Sequence, residues 1–260
     1  MPLSRSNNTP MPNTYLITGA SSGIGRGVAN ALGRERQRVA LVGRDSARLA
    51  RVAREVVMFG GEALAVPSDV RDPAFVQAAL GTILAQWGRV DTAILSSGIA
   101  ESVDLEAFKS DDVEQIFATN VFGVTHWLEA LHPVMRAQPG GGTIAVVSSL
   151  SADRAIPGGG AGYSASKAAI SQLCDGLRAP WKAQNIRLVI VAPGFVRTPM
   201  LDGMTWTPAS VSAEQSAAAI LDGLKQGQSI IRYPLMASLT MALIRRLPPV
   251  ALDLLYRPNR

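Results

Sequence analysis

Six short, nearly continuous apolar runs punctuate the chain, at 14–18, 38–43, 63–67, 91–96, 142–148 and 186–192, with helical stretches between them. Runs such as Val39-Ala40-Leu41-Val42 and Leu188-Val189-Ile190-Val191 show no polar alternation, as expected of strands covered on both faces. Strands alternating with helices imply parallel pairing through right-handed crossovers. The predicted fold is α/β, a doubly wound parallel sheet with helices on both faces. Ligands of such sheets bind beyond the C-terminal strand ends.

The chain has 260 residues, 47% of them hydrophobic, enough for one large core in one domain over 13–260. Residues 1–12, rich in Pro, Asn and Ser, read as a disordered tail without the apolar stretch of a secretory signal. Cys174 is the single cysteine, which excludes an intrachain disulfide and a thiolate metal cluster. Its apolar helical surroundings mark a structural thiol, and a reducing, cytoplasmic location is expected. His126 and His132 share one helix without ligand-like partners, so no metal site is expected. The net charge of +5 comes from scattered arginines, and only 5% of residues are aromatic. That argues against a base-stacking, nucleic-acid surface and is explained by attraction of a small polyanion.

The run Thr18-Gly19-Ala20-Ser21-Ser22-Gly23-Ile24-Gly25 joins a strand to a helix. Its glycines let the backbone approach a phosphate, which the first helical N–H groups and the helix dipole then hold. No Gly-Lys-Ser/Thr follows, so it is not a P-loop. Far downstream, Tyr163 and Lys167 stand one helical turn apart in Tyr163-Ser164-Ala165-Ser166-Lys167. A phenol titrates near ~10 in water, and a neighbouring cation lowers that value toward the range of useful proton transfer.

Together the glycine motif and Tyr-x-x-x-Lys resemble the short-chain dehydrogenase/reductase family, of the type built from about 250 residues. Other matches follow in the family's order: Asp69-Val70, Asp91, Asn120, Ser148-Ser149, Pro193-Gly194 and Thr198, covering residues 13–200 or so. The resemblance implies a Rossmann-like fold, an enzyme acting on a carbonyl or secondary alcohol, and a homodimer or homotetramer. It implies Tyr163 as general acid/base, Lys167 as its partner, Ser149 on the substrate oxygen and Asn120 holding a water. The implied dinucleotide contacts are Gly19, Ser21, Ser22, Gly23, Ile24, Gly25, Asp69, Val70, Ser97, Gly98, Tyr163, Lys167, Pro193, Gly194, Val196 and Thr198.

At the end of the second strand the chain reads Leu41-Val42-Gly43-Arg44-Asp45. A carboxylate there would bind ribose hydroxyls, whereas a guanidinium attracts a 2′-phosphate. Gly43 occupies the acid position, Arg44 is the phosphate candidate, and Asp45 caps the next helix, so NADP(H) is favoured and NAD(H) remains possible. An NAD-dependent alcohol dehydrogenase and a non-catalytic dinucleotide-binding regulator are the alternative readings.

Three departures from the family stand out. The fourth strand ends Leu95-Ser96-Ser97-Gly98 in place of Asn-Asn-Ala-Gly, exchanging a bracing amide for a hydroxyl. Ser149 lies one residue further from Tyr163 than usual, a surplus assigned to Pro157-Gly158-Gly159-Gly160, and Ser151 is its rival. The family's Asp-Gly-Gly signature near the end is missing. Met200, Leu201, Met204 and Trp206 favour a hydrophobic substrate. In Leu235–Tyr256, Leu235, Leu239, Leu243 and Leu247 recur as one helix face followed by Arg245-Arg246 and Pro248-Pro249. Packing or subunit contact is the favoured role for 235–256, with peripheral membrane contact as the alternative.

Overall fold

The structure is a computed structural model that describes residues 12–255 except 156, 203–206 and 208. The six strands expected from the apolar runs are present: β1 (Thr14–Thr18), β2 (Arg38–Gly43), β3 (Glu62–Pro67), β4 (Thr92–Leu95), β5 (Gly142–Val147) and β6 (Ile186–Pro193). A seventh strand, β7 (Ile230–Tyr233), was not foreseen. It is four residues long, alternates exposed and buried, and sits at an edge, so it lacks the solid apolar run of the others. The order is β3-β2-β1-β4-β5-β6-β7, all parallel.

Successive strand residues feed opposite cores, as a side-chain period of two demands. Leu16, Ala40, Val42, Ile144, Val146, Leu188 and Ile190 face one layer. Helices α3 (Pro73–Trp87), α5 (Gly123–Ala137) and α6 (Ala161–Lys182) cover it with Ile83, Trp127, Leu131, Ile170 and Cys174. Ile17, Val39, Leu41, Ala145, Val147, Val189 and Val191 face the other. There α1 (Gly23–Arg34), α2 (Ser46–Met58) and α7 (Ala213–Lys225) supply Leu32, Leu49, Val52 and Ile220. This is the Rossmann-like doubly wound sheet.

Asp91 stitches the sheet's centre: its carboxylate accepts from the Thr14 N–H at 2.8 Å, and its backbone bonds both Thr14 and Thr143. The lost amide at the end of β4 is replaced by Ser96, whose hydroxyl donates to the Thr18 carbonyl, while the Ser97 N–H donates to Thr18 Oγ1. A short side chain thus still braces β4 against β1. Burial pushes the Cys174 thiol up to about 12, the behaviour of an inert structural cysteine. His126 bonds the Val70 carbonyl, and His132 bonds Gln184 and stacks on Trp181. Among the described residues no group of His, Cys, Asp and Glu is arranged to hold a metal.

The helix α4 (Ser110–Phe117) runs into a π-helical turn, Ala118–Phe122, before α5. The C-terminal stretch forms α8 (Leu235–Ile244) and α9 (Pro249–Leu255). Its predicted face is partly corrected: Leu235, Leu239 and Leu243 do share one side, but it points outward, and Leu247 falls beyond the end of α8. Met241, with Ala237 and Ile244, turns inward onto Leu150 and Ala192. The tail 1–11, Met204, Trp206 and Tyr256 lie outside the described residues.

Trp127 is fully buried and its indole N–H has no partner among the described residues. Trp127→Ala is expected to cost about 3–5 kcal/mol of stability by denaturant unfolding. Trp127→Phe, which removes an unpaired donor while keeping most of the volume, should cost less than half of that.

Candidate active site

The glycine turn places two residues in the left-handed region, Gly19 at φ +64° and Gly23 at φ +53°, where a side chain is strained. A methyl at Gly25 would stand 2.4 Å from the Gly19 carbonyl oxygen, so the backbone can close on itself only without one. The Thr198 methyl rests at 3.1 Å from where a Gly23 Cβ would be. Ser22 precedes α1 without a side-chain capping bond, which leaves the first N–H groups of the helix for an external acceptor.

A cleft of about 430 Å³ opens here, at the C-terminal strand ends. Of the residues expected from the sequence, Gly19, Ser21, Ser22, Gly23, Ile24, Gly25, Arg44, Asp69, Val70, Ser97, Gly98 and Thr198 line it. So do Arg48, Ser68, Ile99, Thr119 and Pro199, which the motifs did not single out. Arg48 was legible as the residue one helical turn beyond Arg44; the others merely flank motif positions. Asp69 is held by Arg71 at 2.6 Å, and that bond is the main reason its carboxyl stays below the usual range.

Asp45 takes the capping role expected of it. Asp45 accepts from the Arg48 N–H at 2.9 Å as the cap of α2, and its carboxylate also meets the Arg48 guanidinium at 3.1 Å. Arg44 is exposed on the cleft wall and has no ion pair among the described residues. A Cβ at Gly43 would have only ordinary contacts, 3.5 Å to Leu49 and 3.8 Å to Ser21. Space alone therefore does not exclude a side chain there.

Tyr163, Lys167, Asn120 and Ser149 do not line this cleft; Lys167 and Asn120 adjoin it at Gly98. A Cβ at Gly98 would lie 3.2 Å from Asn120 Oδ1 and 3.4 Å from Lys167 Nζ, so the cleft wall ends against both. Asn120, in the π-helical turn, is fully buried. Its Oδ1 accepts from the Ile99 N–H at 2.8 Å, and its Nδ2 donates to the Ile99 carbonyl at 2.9 Å and to Ser166 Oγ at 3.0 Å. Ser166 in turn donates to the Tyr163 carbonyl at 2.7 Å. The side chain of Asn120 thereby ties the loop after β4 to the helix carrying Tyr163.

Ser149 follows β5 and caps a short 3₁₀ turn, Leu150–Ala152. Its Oγ accepts from the Ser151 N–H at 3.1 Å and from the Ser151 hydroxyl at 3.0 Å. A hydrogen bond with Ser149 pulls the Tyr163 phenol down, but burial, the larger effect, leaves it raised. This corrects the expectation that Lys167 lowers it. The Lys167 ammonium lies 5.6 Å from the centre of the Tyr163 ring and donates instead to the Val147 carbonyl at 2.8 Å. In the glycine stretch before Tyr163, Gly158 adopts φ +129°, and the Gly159 carbonyl accepts from the Val103 N–H.

Pro193 and Gly194 end β6, where the Gly194 N–H donates to the Tyr233 carbonyl at 2.7 Å. Val196 is buried in the core layer of α7 and bridges Val211; its side chain serves packing. Met200 is exposed at the cleft rim. A second cleft, about 510 Å³, lies between the 152–161 segment and α9, lined by Ala152, Arg154, Pro157, Ala161, Pro249 and Leu252 among others.

Burial lowers Lys167 to about 8 from 10.5. The fold thus carries a charged, desolvated ammonium below about pH 8, a penalty that fades as pH rises from about 8 to 10.5 and is gone above it. Lys167→Met is expected to be the more stable protein at pH 7, by on the order of 3 kcal/mol. Denaturant unfolding across a pH series should show that advantage shrinking from pH 8 upward; a constant difference would contradict it.

The family model described as short chain dehydrogenase matches residues 13–207. Ketoacyl reductase HetN of Nostoc sp. is 30% identical over 254 residues, covering 94% of this chain and 88% of the relative. Oxidoreductase UcpA of Escherichia coli is 32% identical over 210 residues, 79% of each chain. The crystal structure of a short chain dehydrogenase/reductase from Burkholderia phymatum in complex with NAD superposes with a TM-score of 0.82 at 22% identity, covering 96% of this chain and 97% of that one.

Proposed function

The chain belongs to the short-chain dehydrogenase family of NAD(P)-dependent oxidoreductases, and from that premise we propose that it moves a hydride between NADP(H) and a hydrophobic carbonyl or secondary alcohol. The observation that carries this reading is the junction at Gly98, where an anion-binding cleft meets Lys167 and Asn120. Glycine-forced backbone contact, open helix N–H groups and the cleft volume fit a dinucleotide.

When bound, the nicotinamide supplies or receives the hydride. The chain's own residues place the carbonyl and move one proton. Tyr163 is the general acid/base at the substrate oxygen. Ser149 accepts two hydrogen bonds from Ser151, which fills both lone pairs of its hydroxyl. Its own hydrogen is then left to donate, to the phenol oxygen or to the substrate. Lys167 holds the nicotinamide ribose, with Asn120 fixing the wall beside it and a water completing the path to solvent. Pro193, Gly194 and Thr198 border the nicotinamide side.

Arg44 supports NADP(H) over NAD(H): a cation faces the cleft where NAD users carry a carboxylate, and Asp45 is occupied by the α2 cap. Hydrophobic substrates are supported by Met200 and by Pro157, Ala161, Pro249 and Leu252, which share the second cleft with Asp153, Arg154 and Asp253. The name of the Nostoc relative puts ketoacyl compounds among the first to assay. A cytoplasmic homodimer or homotetramer belongs to the same reading.

Tyr163→Phe is expected to lower turnover by about a hundredfold or more while NADPH binding, followed by its fluorescence, is kept. Full retention of turnover would mean that another acid operates. Arg44→Glu should weaken NADPH about tenfold or more and turn the preference toward NADH; unchanged kcat/KM for both cofactors would remove Arg44 from the phosphate site.

A further inference from the structure

Helix α8 presents to the outside what a soluble surface helix ordinarily turns inward. Leu235, Met236, Leu239 and Leu243 are 70%, 67%, 52% and 67% exposed, and Val250 on α9 extends the patch at 68%. These leucines stand four residues apart on one stripe. Its inner face is already satisfied, through Ala237, Met241 and Ile244 on Leu150 and Ala192. Exposed Arg245 and Arg246 close the helix, neither with a carboxylate partner among the described residues. No Asp or Glu occurs from 235 to 252, and the whole chain carries +5.

We propose that α8 docks this protein on an anionic lipid surface, with the leucine stripe among the acyl-chain ends and Arg245 and Arg246 at the headgroups. An apolar helix face bordered by cations is the chemistry such a surface selects. A second copy fits less well. A two-fold contact must be self-complementary, yet α8 and the arginines that close it hold cations and no anions, the nearest acid along the chain being Asp253 on α9. Laid antiparallel, each arginine pair would meet the partner helix's N-terminus, its positive end; laid parallel, the pairs would meet each other. Among the described residues no helix is long and apolar enough to cross a membrane, so the contact is peripheral.

The position has a consequence for substrate access. Leu150, beneath α8, adjoins Ser149, and α9 walls the second cleft opposite Ala161, two residues before Tyr163. A protein seated through α8 holds that cleft beside the lipid, where an apolar substrate is concentrated. The docking itself does not depend on the proposed reaction.

The test is co-sedimentation of the full chain with phosphatidylglycerol or phosphatidylcholine vesicles at low salt. Wild type is expected to pellet with the anionic vesicles at least tenfold more strongly than with the neutral ones. Arg245→Ala/Arg246→Ala should lose about thirtyfold in apparent affinity. Leu239→Glu/Leu243→Glu should lose about a hundredfold or more, with thermal unfolding and NADPH binding unchanged because both positions are exposed. Failure of wild type to pellet, equal binding to both lipids, or undiminished binding by the leucine variant would each overturn the proposal. So would a wild-type oligomer, measured by light scattering, that the leucine variant dissolves without changing vesicle binding.

Discussion

The reciprocal pair of hydrogen bonds between the Asn120 amide and the backbone of Ile99 is the constraint on which the site's geometry rests. A loop leaving a parallel strand has no ladder partners of its own, so something must fix its exit direction. Here one fully buried amide does so while its remaining donor reaches Ser166 on α6. Two segments separated by more than sixty positions are thereby held at one distance, and Gly98 lies in the gap between them, where a Cβ would press on Asn120 Oδ1 at 3.2 Å. The cleft and the tyrosine–lysine helix are one structural unit because of this tie.

The same unit is built against stability. Lys167 is almost wholly buried with a single carbonyl as its hydrogen-bond partner among the described residues, and burial holds Tyr163 above its ordinary range. Groups placed where neither charged form is welcome are a recurring mark of functional sites. The surrounding sheet offsets the penalty with two unbroken apolar layers, and the side-chain hydrogen bonds of Ser148 to the Lys167 carbonyl and to Ser171 pin α6 to the end of β5.

Much of this was legible in the chain. Central strands buried on both faces must be apolar throughout, and all six such runs are strands within a residue or two at each end. The glycine turn was legible because backbone contact and positive φ leave no other residue type at Gly19, Gly23 and Gly25. Ser149 could be placed beside Tyr163, but that Ser151 stands behind it depends on a 3₁₀ turn no pattern announces. β7 escaped because an edge strand needs only one covered face. The outward direction of the α8 stripe was hidden too, since periodicity reports that a face exists and not which way it points. The rise of the Tyr163 pKa required knowing how deeply the fold buries the phenol.

The π-helical turn at Ala118–Phe122 has a meaning for engineering the fold. A wide turn accommodates a residue that a regular helix has no place for. Removing one residue from it would restore ordinary winding only by rotating everything on one side by about 100° relative to the other. Either Asn120 would swing away from Ile99, or Trp127 and Leu131 would leave their core layer. Point substitutions along this helix pair are separable changes; its length is not, and that makes residue count here as much a part of the chemistry as residue identity.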